Sequence, residues 1–462
     1  MTINTHLSVD RQMTGDIYTS SEIMDNLAIL CDEFGSRFGG TEGERLAAEF
    51  MRDKMGAYGL QNVRLEPLKF LAWKRAEASL EVLSPVHRTI PCISLPHAPA
   101  GTVEADLIDM GDGSPEAFNQ RALELRGQVA MTNSVVSPVG SKRWIHRNDK
   151  LGYSLLAGAE AFIFVNHYPG FGPATGGIGH GGGLAKIPGI SVSYEDGAAL
   201  SRLVEKVGRV RIRIKTQDEA FEATSWNVVG EIPGRSKQQI MLGCHYDGHD
   251  ISQGAQDPAS GAVAVLEAAR VLAKYADKPA FTLRFALWGV EEIGLLGSKA
   301  YVKEHADELD KIRFYLNMDS AGAIPKKGIV VNEWPKLVPV FEAWAKEMSL
   351  PFKVGQSIHA FSDHFPFLMA GVPTGGIESV VKDLSGRGYG HTAYDTLDKA
   401  NIRSLREAAD LAARVGLRMA NEKEWPAHRR SDKAVAKLFQ APEYQEAKAD
   451  RDRIAAFYGR ED

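Results

Sequence analysis

The chain has 462 residues, 44% of them hydrophobic and 24% charged, with a formal net charge of −5. That mild acidity argues against nucleic acid or an anionic membrane surface as a partner, and no apolar run approaches the roughly 20 residues needed to cross a bilayer. The length is more than one ordinary domain requires, so two or three units, or a large domain carrying an insert, are expected.

The opening stretch, MTINTHLSVDRQMTGD, has no basic segment followed by an apolar core. No secretory signal is read there, and a cytoplasmic location is expected. Cys31, Cys92 and Cys244 are few, odd in number and far apart. They read as buried thiols in a reducing compartment, not as a disulfide framework or a zinc knuckle. From Ser20 to Gly59 the pattern is helical: Ala47, Phe50, Met51 and Met55 fall near helical spacing, and Gly56 and Gly59 close the run. EFGSRFGGTEGE opens that helix as a glycine-rich turn, and NVRLEPLKFLAW follows as a strand. Between Val82 and Ala223 short strands, GQVAMTNS and EAFIFVNH, flank a helix, LGYSLLAGAEA. PGFGPATGGIGHGGG lacks the strand–loop–helix setting of a phosphate cradle and reads as a flexible surface loop leaning over a cleft.

After EATSW, strands and helices alternate. NVVGEI, QQIMLGCHY, FTLRFALWGV and KIRFYLNMD are strands, and GLLGSKAYVKEH is a helix. In ASGAVAVLEAARVLAKY, Ala262, Val265, Leu266, Ala269, Leu272 and Ala273 share one helical face. Such alternation predicts a three-layer α/β/α sandwich around a mixed, largely parallel sheet. Four parts are expected: 1–81, an insert at 82–223, a second core part at 224–420, and a charged extension at 421–462 read as exposed helix or tail. The extension is also read as a contact arm for a homo-oligomer.

Several strands end in acids and histidines. IMLGC runs into His245 and Asp247, FALWGV into Glu291 and Glu292, and FYLN towards Asp319; Asp257 precedes a helix, and GYGHTAYDT adds His391 and Asp395. In open α/β sheets the strand carboxyl ends form the ligand site. Carboxylates gathered there would repel and titrate abnormally, and a pair of divalent cations relieves this. Oxygen and imidazole donors suit zinc, manganese or cobalt.

These blocks together resemble the M28 family of co-catalytic metallopeptidases, which includes leucyl aminopeptidases and the carboxypeptidase Q type. GSRFGGTEGERLAAEF, NVVGEIPG, HYDGHDISQGAQDPASG, WGVEEIGLLGS, NMDSAG and FSDHFPF each resemble a block of that family in the family's order. Residues 82–223 resemble a mostly-β protease-associated (PA) insert, which should sit beside the cleft and restrict it to short peptides. The resemblance implies two divalent ions, zinc first, with Asp257 bridging them. His245 and Asp319 would complete one site, and Glu292 and His391 the other. Glu291 would be the general base, and Asp247 would orient His245 through its second ring nitrogen. It also implies a cis peptide after the bridging aspartate, so Asp257–Pro258 is expected to be cis.

Asp363, His364 and Asp395 are read as supporting groups, and His249, Asp250, His180 and His359 as rim or surface residues. Gly390 stands where the family commonly has a tyrosine that aids the oxyanion; Tyr389 and Tyr394 are the neighbouring candidates. The implied activity is an aminopeptidase on short peptides. Alternatives are a carboxypeptidase or dipeptidase, with Arg387 offered to the substrate carboxylate, a non-catalytic receptor-like protein, and a one-zinc glutaminyl-cyclase-like enzyme.

Overall fold

The computed structural model describes residues 4–138, 141–380 and 388–459. Its first sheet has eight strands. Ser236–His245 lies between Phe281–Trp288 and Ile312–Asn317, parallel to both, and Thr374–Ser379 continues the parallel set. Antiparallel pairings flank it: Glu219–Ile232 and then Gln61–Lys74 on one side, Lys327–Val331 on the other. The central strands are buried on both faces, which is why their sequences are near-continuous apolar runs with no alternation.

Neighbouring residues of one strand enter different cores. Ile240, Leu242 and Cys244 pack with the helices Glu42–Ala57, Ser260–Tyr275 and Ile402–Met419. Met241 packs instead with Trp288, Tyr301, Tyr315 and Phe367, under Leu296–Glu304 and His364–Met369. The three-layer sandwich is therefore present. Gly261, in the first turn of Ser260–Tyr275, lets the helix approach the sheet: a Cβ there would lie 2.1 Å from the Met318 carbonyl oxygen. The helix Leu7–Thr19, not distinguished in the sequence, is tied to the last core helix by Asp10, which accepts from Arg418 at 2.8 and 2.9 Å.

Gln61–Lys74 and Glu219–Ile232 pair as far as Lys74 and Glu219, and the second sheet is inserted between them. It also has eight strands, from Ala78–Ser84 to Arg211–Thr216, with the helices Pro115–Leu125, Arg147–Leu156 and Tyr194–Val207. This second sheet and its helices occupy residues 75–218, where the sequence reading expects a mostly-β insert at 82–223. Only Arg75–Glu77 separate Gln61–Lys74 from the insert's first strand, so the two strands merge into one extended pattern.

In the C-terminal extension, Pro442–Tyr458 packs on the insert of its own chain. Ile454 lies against Gly152, and Tyr153 donates to Asp450 at 2.7 Å. Cys31 and Cys244 are buried, Cys92 is half-buried, and all three are free. Among the described residues no helix is long and apolar enough to cross a membrane.

Candidate metal centre

The carboxyl ends of the parallel strands meet as the sequence predicts. His245 ends Ser236–His245 and is buried. Its Nδ1 donates to the Asp247 backbone carbonyl at 3.0 Å, which leaves Nε2 as the free lone pair. Nε2 lies 3.3 Å from Asp319 Oδ1 and 3.4 Å from Asp257 Oδ1. The other oxygen of Asp257 is 3.5 Å from His391 Nε2, which is 3.6 Å from Glu292 Oε2. Asp257 thus offers one oxygen to each of two clusters, one around His245 and one around His391. Glu291 belongs to the first: His245, Glu291 and Asp319 present ligand atoms within 4.8 Å of one another. The second cluster contains His249, Glu292 and His391 under the same limit.

These separations fit metal coordination. Zinc–nitrogen and zinc–oxygen bonds of about 2.0–2.1 Å place tetrahedral ligand atoms about 3.3–3.4 Å apart. The four donor–donor distances around His245 and His391, two of them to Asp257, are 3.3–3.6 Å and close to that edge. Glu292 turns Oε2 to His391, and its Oε1 is buried with no hydrogen-bond partner, so no donor among the described residues satisfies that oxygen.

The electrostatics agree. Burial, then the charges of Glu292, Asp363 and Asp319, push the Glu291 carboxyl well above the usual range. Burial and Asp257 push Glu292 up to about 8, and burial and Asp319 push Asp363 up to about 7. Burial alone would lower the His245 pKa, yet the surrounding carboxylates raise it well above its ordinary value. A divalent cation among these groups favours the ionised acids and the neutral imidazole.

Three of the ten described non-glycine residues with positive φ lie at the site. Val290, Ser320 and His391 have φ of 49°, 53° and 61°, in the left-handed region that non-glycine residues rarely adopt. Each is a site residue or adjoins one, the distribution expected where tertiary structure enforces a functional geometry. The Asp257–Pro258 peptide is cis, as expected. Asp395 accepts the backbone N–H groups of Gln256 and Asp257 at 2.7 and 3.0 Å and so fixes the aspartate loop from below.

The expected role of Asp247 changes. Its side-chain carboxylate lies 3.6 Å from His245 Nδ1, and it is the backbone carbonyl that orients that ring. The carboxylate accepts instead from the backbone N–H groups of Glu291 and Glu292. Sequence reading cannot foresee this, because it depends on how the Trp288–Glu292 turn passes over the neighbouring strand.

His249 was read as a rim residue, but it is buried, with Nε2 2.8 Å from Glu292 Oε2 and 3.0 Å from His391 Nδ1. Its spacing in HYDGHD, four residues after His245, was the one available signal. Asp250 pairs with Arg75 at 2.7 Å, His180 stacks on Tyr458, and His359 faces Glu378 at 3.5 Å. Asp363 accepts from Ser298 at 2.5 Å, and His364 Nε2 meets the His359 carbonyl at 3.1 Å.

The glycine loop is no open surface loop: 174–178 are buried. Thr175 N–H donates to the His391 carbonyl at 2.9 Å, and a Cβ on Gly177 would lie 3.1 Å from the Glu292 carbonyl oxygen. The insert therefore walls one side of the centre. Arg147, from the insert, donates Nε to Gly177 at 3.0 Å; burial lowers its pKa to about 10, opposed by the charges of Glu292 and Glu291. Gly390 is required by close approach: a Cβ would sit 2.8 Å from Asp257 Oδ2, so no tyrosine fits there beside this Asp257. Tyr389 packs near Phe171 and Tyr394 is half exposed. Arg387 lies outside the described residues.

Residues 227–416 match the model of peptidase family M28. The chain carries a peptidase family M28 domain. All the expected ligands lie within this M28 segment. Carboxypeptidase Q of Homo sapiens is 27% identical over 414 residues, spanning 87% of this chain and 85% of that protein. A probable leucine aminopeptidase 2 of Aspergillus oryzae is 28% identical over 405 residues, spanning 82% and 77%. The crystal structure of a peptidase M28 precursor from Shewanella amazonensis superposes with a TM-score of 0.79 at 26% identity, covering 92% of this chain and 98% of that one. A zinc aminopeptidase of Bacillus subtilis shares the fold, with a TM-score of 0.67 at 23% identity over 88% and 96% of the two chains. The M28 similarity thus extends through the insert as well as the metal-centre half.

Proposed function

We propose that this M28 protein is a di-zinc exopeptidase that releases the N-terminal residue of short peptides. The observation that carries the reading is the division of Asp257 between two clusters, one oxygen 3.4 Å from His245 and the other 3.5 Å from His391. His245 and Asp319 would hold one ion and Glu292 and His391 the other, with Asp257 placed to serve both. Manganese or cobalt suits the same donors. When bound, the ion pair polarises the scissile carbonyl and acidifies a water molecule. Glu291 accepts the proton of that water on a carboxylate oxygen and returns it to the leaving amine nitrogen. Asp247 keeps Glu291 in place through its backbone N–H. The glycine loop of the insert limits the depth of the cleft, which favours short, flexible substrates over folded proteins.

The test is hydrolysis of leucyl-p-nitroanilide and of its N-acetylated form after chelation and zinc add-back. Zinc-dependent cleavage of the free-amine substrate alone supports the aminopeptidase; equal cleavage of both removes it.

Arg147 favours a second reading, a dipeptidase. Its guanidinium lies in the field of Glu291 and Glu292 and could receive a substrate C-terminal carboxylate. Several relatives are carboxypeptidase Q proteins. Comparing a dipeptide with its C-terminal amide separates the two readings: a large rise in KM for the amide, abolished in Arg147→Met, marks the dipeptidase.

A further inference from the structure

We propose that His249 is a metal ligand of the second cluster, alongside Asp257, Glu292 and His391. The inference rests on the di-metal reading above and adds to it a nitrogen donor that the expected set does not contain.

His249 is only 2% exposed, and its Nε2 is directed at the site. The separation of 2.8 Å from Glu292 Oε2 is shorter than the tetrahedral edge found elsewhere in the centre. Two donors at right angles on one ion, with bonds of about 2.0–2.1 Å, would stand about 2.8–3.0 Å apart, and catalytic zinc can expand beyond four ligands. His391 leaves the His249 lone pair free: with Nε2 facing Asp257 and Glu292, its Nδ1 carries the hydrogen and has the Thr175 carbonyl at 3.2 Å as acceptor.

The loop carrying His249 is pinned on both sides. Arg37, fully buried, donates to the carbonyls of Tyr246, Gln253 and Gly254 at 3.0, 2.7 and 3.0 Å. Arg75 grips the adjacent Asp250 through two nitrogens at 2.7 and 2.8 Å. A ring on a loop held this way is placed before any ion arrives, as a ligand must be for tight binding.

The assignment makes the two ions unequal. The first would have one nitrogen donor, His245, and the second two, His249 and His391. Imidazole-rich sets favour zinc and cobalt over manganese. The second position should therefore retain zinc under conditions where the first exchanges it for manganese.

The experiment uses the full chain loaded with cobalt(II). Each imidazole bound to cobalt shifts its remaining ring N–H far outside the normal proton spectrum. Histidine labelled with nitrogen-15 identifies these signals. The proposal predicts three in the wild type and two in both His249→Phe and His249→Gln. Competitive chelator titration should show one of the two zinc ions bound at least tenfold more weakly in each variant, with thermal denaturation reporting that the fold is kept. Two signals in the wild type, unchanged in the variants, would mean that His249 only hydrogen-bonds Glu292, and the inference is overturned while the di-metal reading stands. A wild type that binds no cobalt or zinc overturns both.

Discussion

The carboxylate of Asp247 accepts the backbone N–H of Glu291 at 2.9 Å through Oδ1 and, through Oδ2, that of Glu292 at 3.2 Å. One buried acid thus fixes the turn that presents both glutamates. Asp247→Asn replaces one acceptor by an N–H2 that faces another donor. Loss of a hydrogen bond to a charged acceptor costs about 1.5–3 kcal/mol. Turnover should fall roughly 10–100-fold if that displacement is felt at Glu291, with zinc content unchanged; steady-state kinetics and elemental analysis on the same sample check both.

Gly390→Ala places a methyl group 2.8 Å from Asp257 Oδ2 and 2.9 Å from Asp257 Cβ. Both atoms belong to the residue that joins the clusters, so the aspartate must turn. At least one ion should bind more than tenfold more weakly, measured by chelator competition. Unchanged affinity would show that the loop of His391 can retreat instead.

Arg37 is a structural counterpart of the metals. Its guanidinium donates to five carbonyls, those of Leu30, Gly35, Tyr246, Gln253 and Gly254, at 2.5–3.0 Å. Arg37→Met leaves these buried acceptors without donors, at about 3–5 kcal/mol in total. Urea denaturation should show that loss, and Arg37→Lys, with three donors, should recover only part of it.

Much of this was legible because parallel strands impose simple patterns. Strands buried on both faces read as apolar runs, and their carboxyl ends are where polar clusters must emerge. His245, Asp247, Glu291, Glu292 and Asp319 stood out at strand ends, the resemblance to M28 implied the ligand set His245, Asp257, Glu292, Asp319 and His391, and those five converge. The insert boundary was not legible, since Arg75–Glu77 is too short a break to show between two extended segments. The place of His249 was hidden for a different reason: it depends on Arg37 and Arg75, distant in sequence, which draw its loop inward. The buried glycine loop looked like surface because its backbone contacts, to His391 and Glu292, leave no mark on its own sequence.

Glu44 links the fold to pH. It is buried, accepting from Gly40 N–H at 2.6 Å and from the Ser225 hydroxyl. Burial, aided by the charge of Asp247, raises its pKa to about 8 from the ordinary 4.5. Between those values the folded chain keeps a proton that the unfolded chain has released. Its contribution is therefore complete below about pH 4.5 and lost as pH rises through 8, a difference of a few kcal/mol. Glu44→Gln should flatten the decline in stability between pH 5 and 8. Parallel urea curves for the two proteins at pH 5.5 and 8 measure it; an equal decline in both would place the pH dependence elsewhere.

The central claim, two ions bridged by Asp257 with Glu291 as the base, is met most directly by counting metal in the wild type and in Glu291→Gln. The account predicts two zinc ions per chain in both proteins after loading and removal of excess, with turnover of the variant lower by about 10²–10⁴-fold. A single zinc per chain, or a Glu291→Gln protein that keeps its turnover, would contradict it.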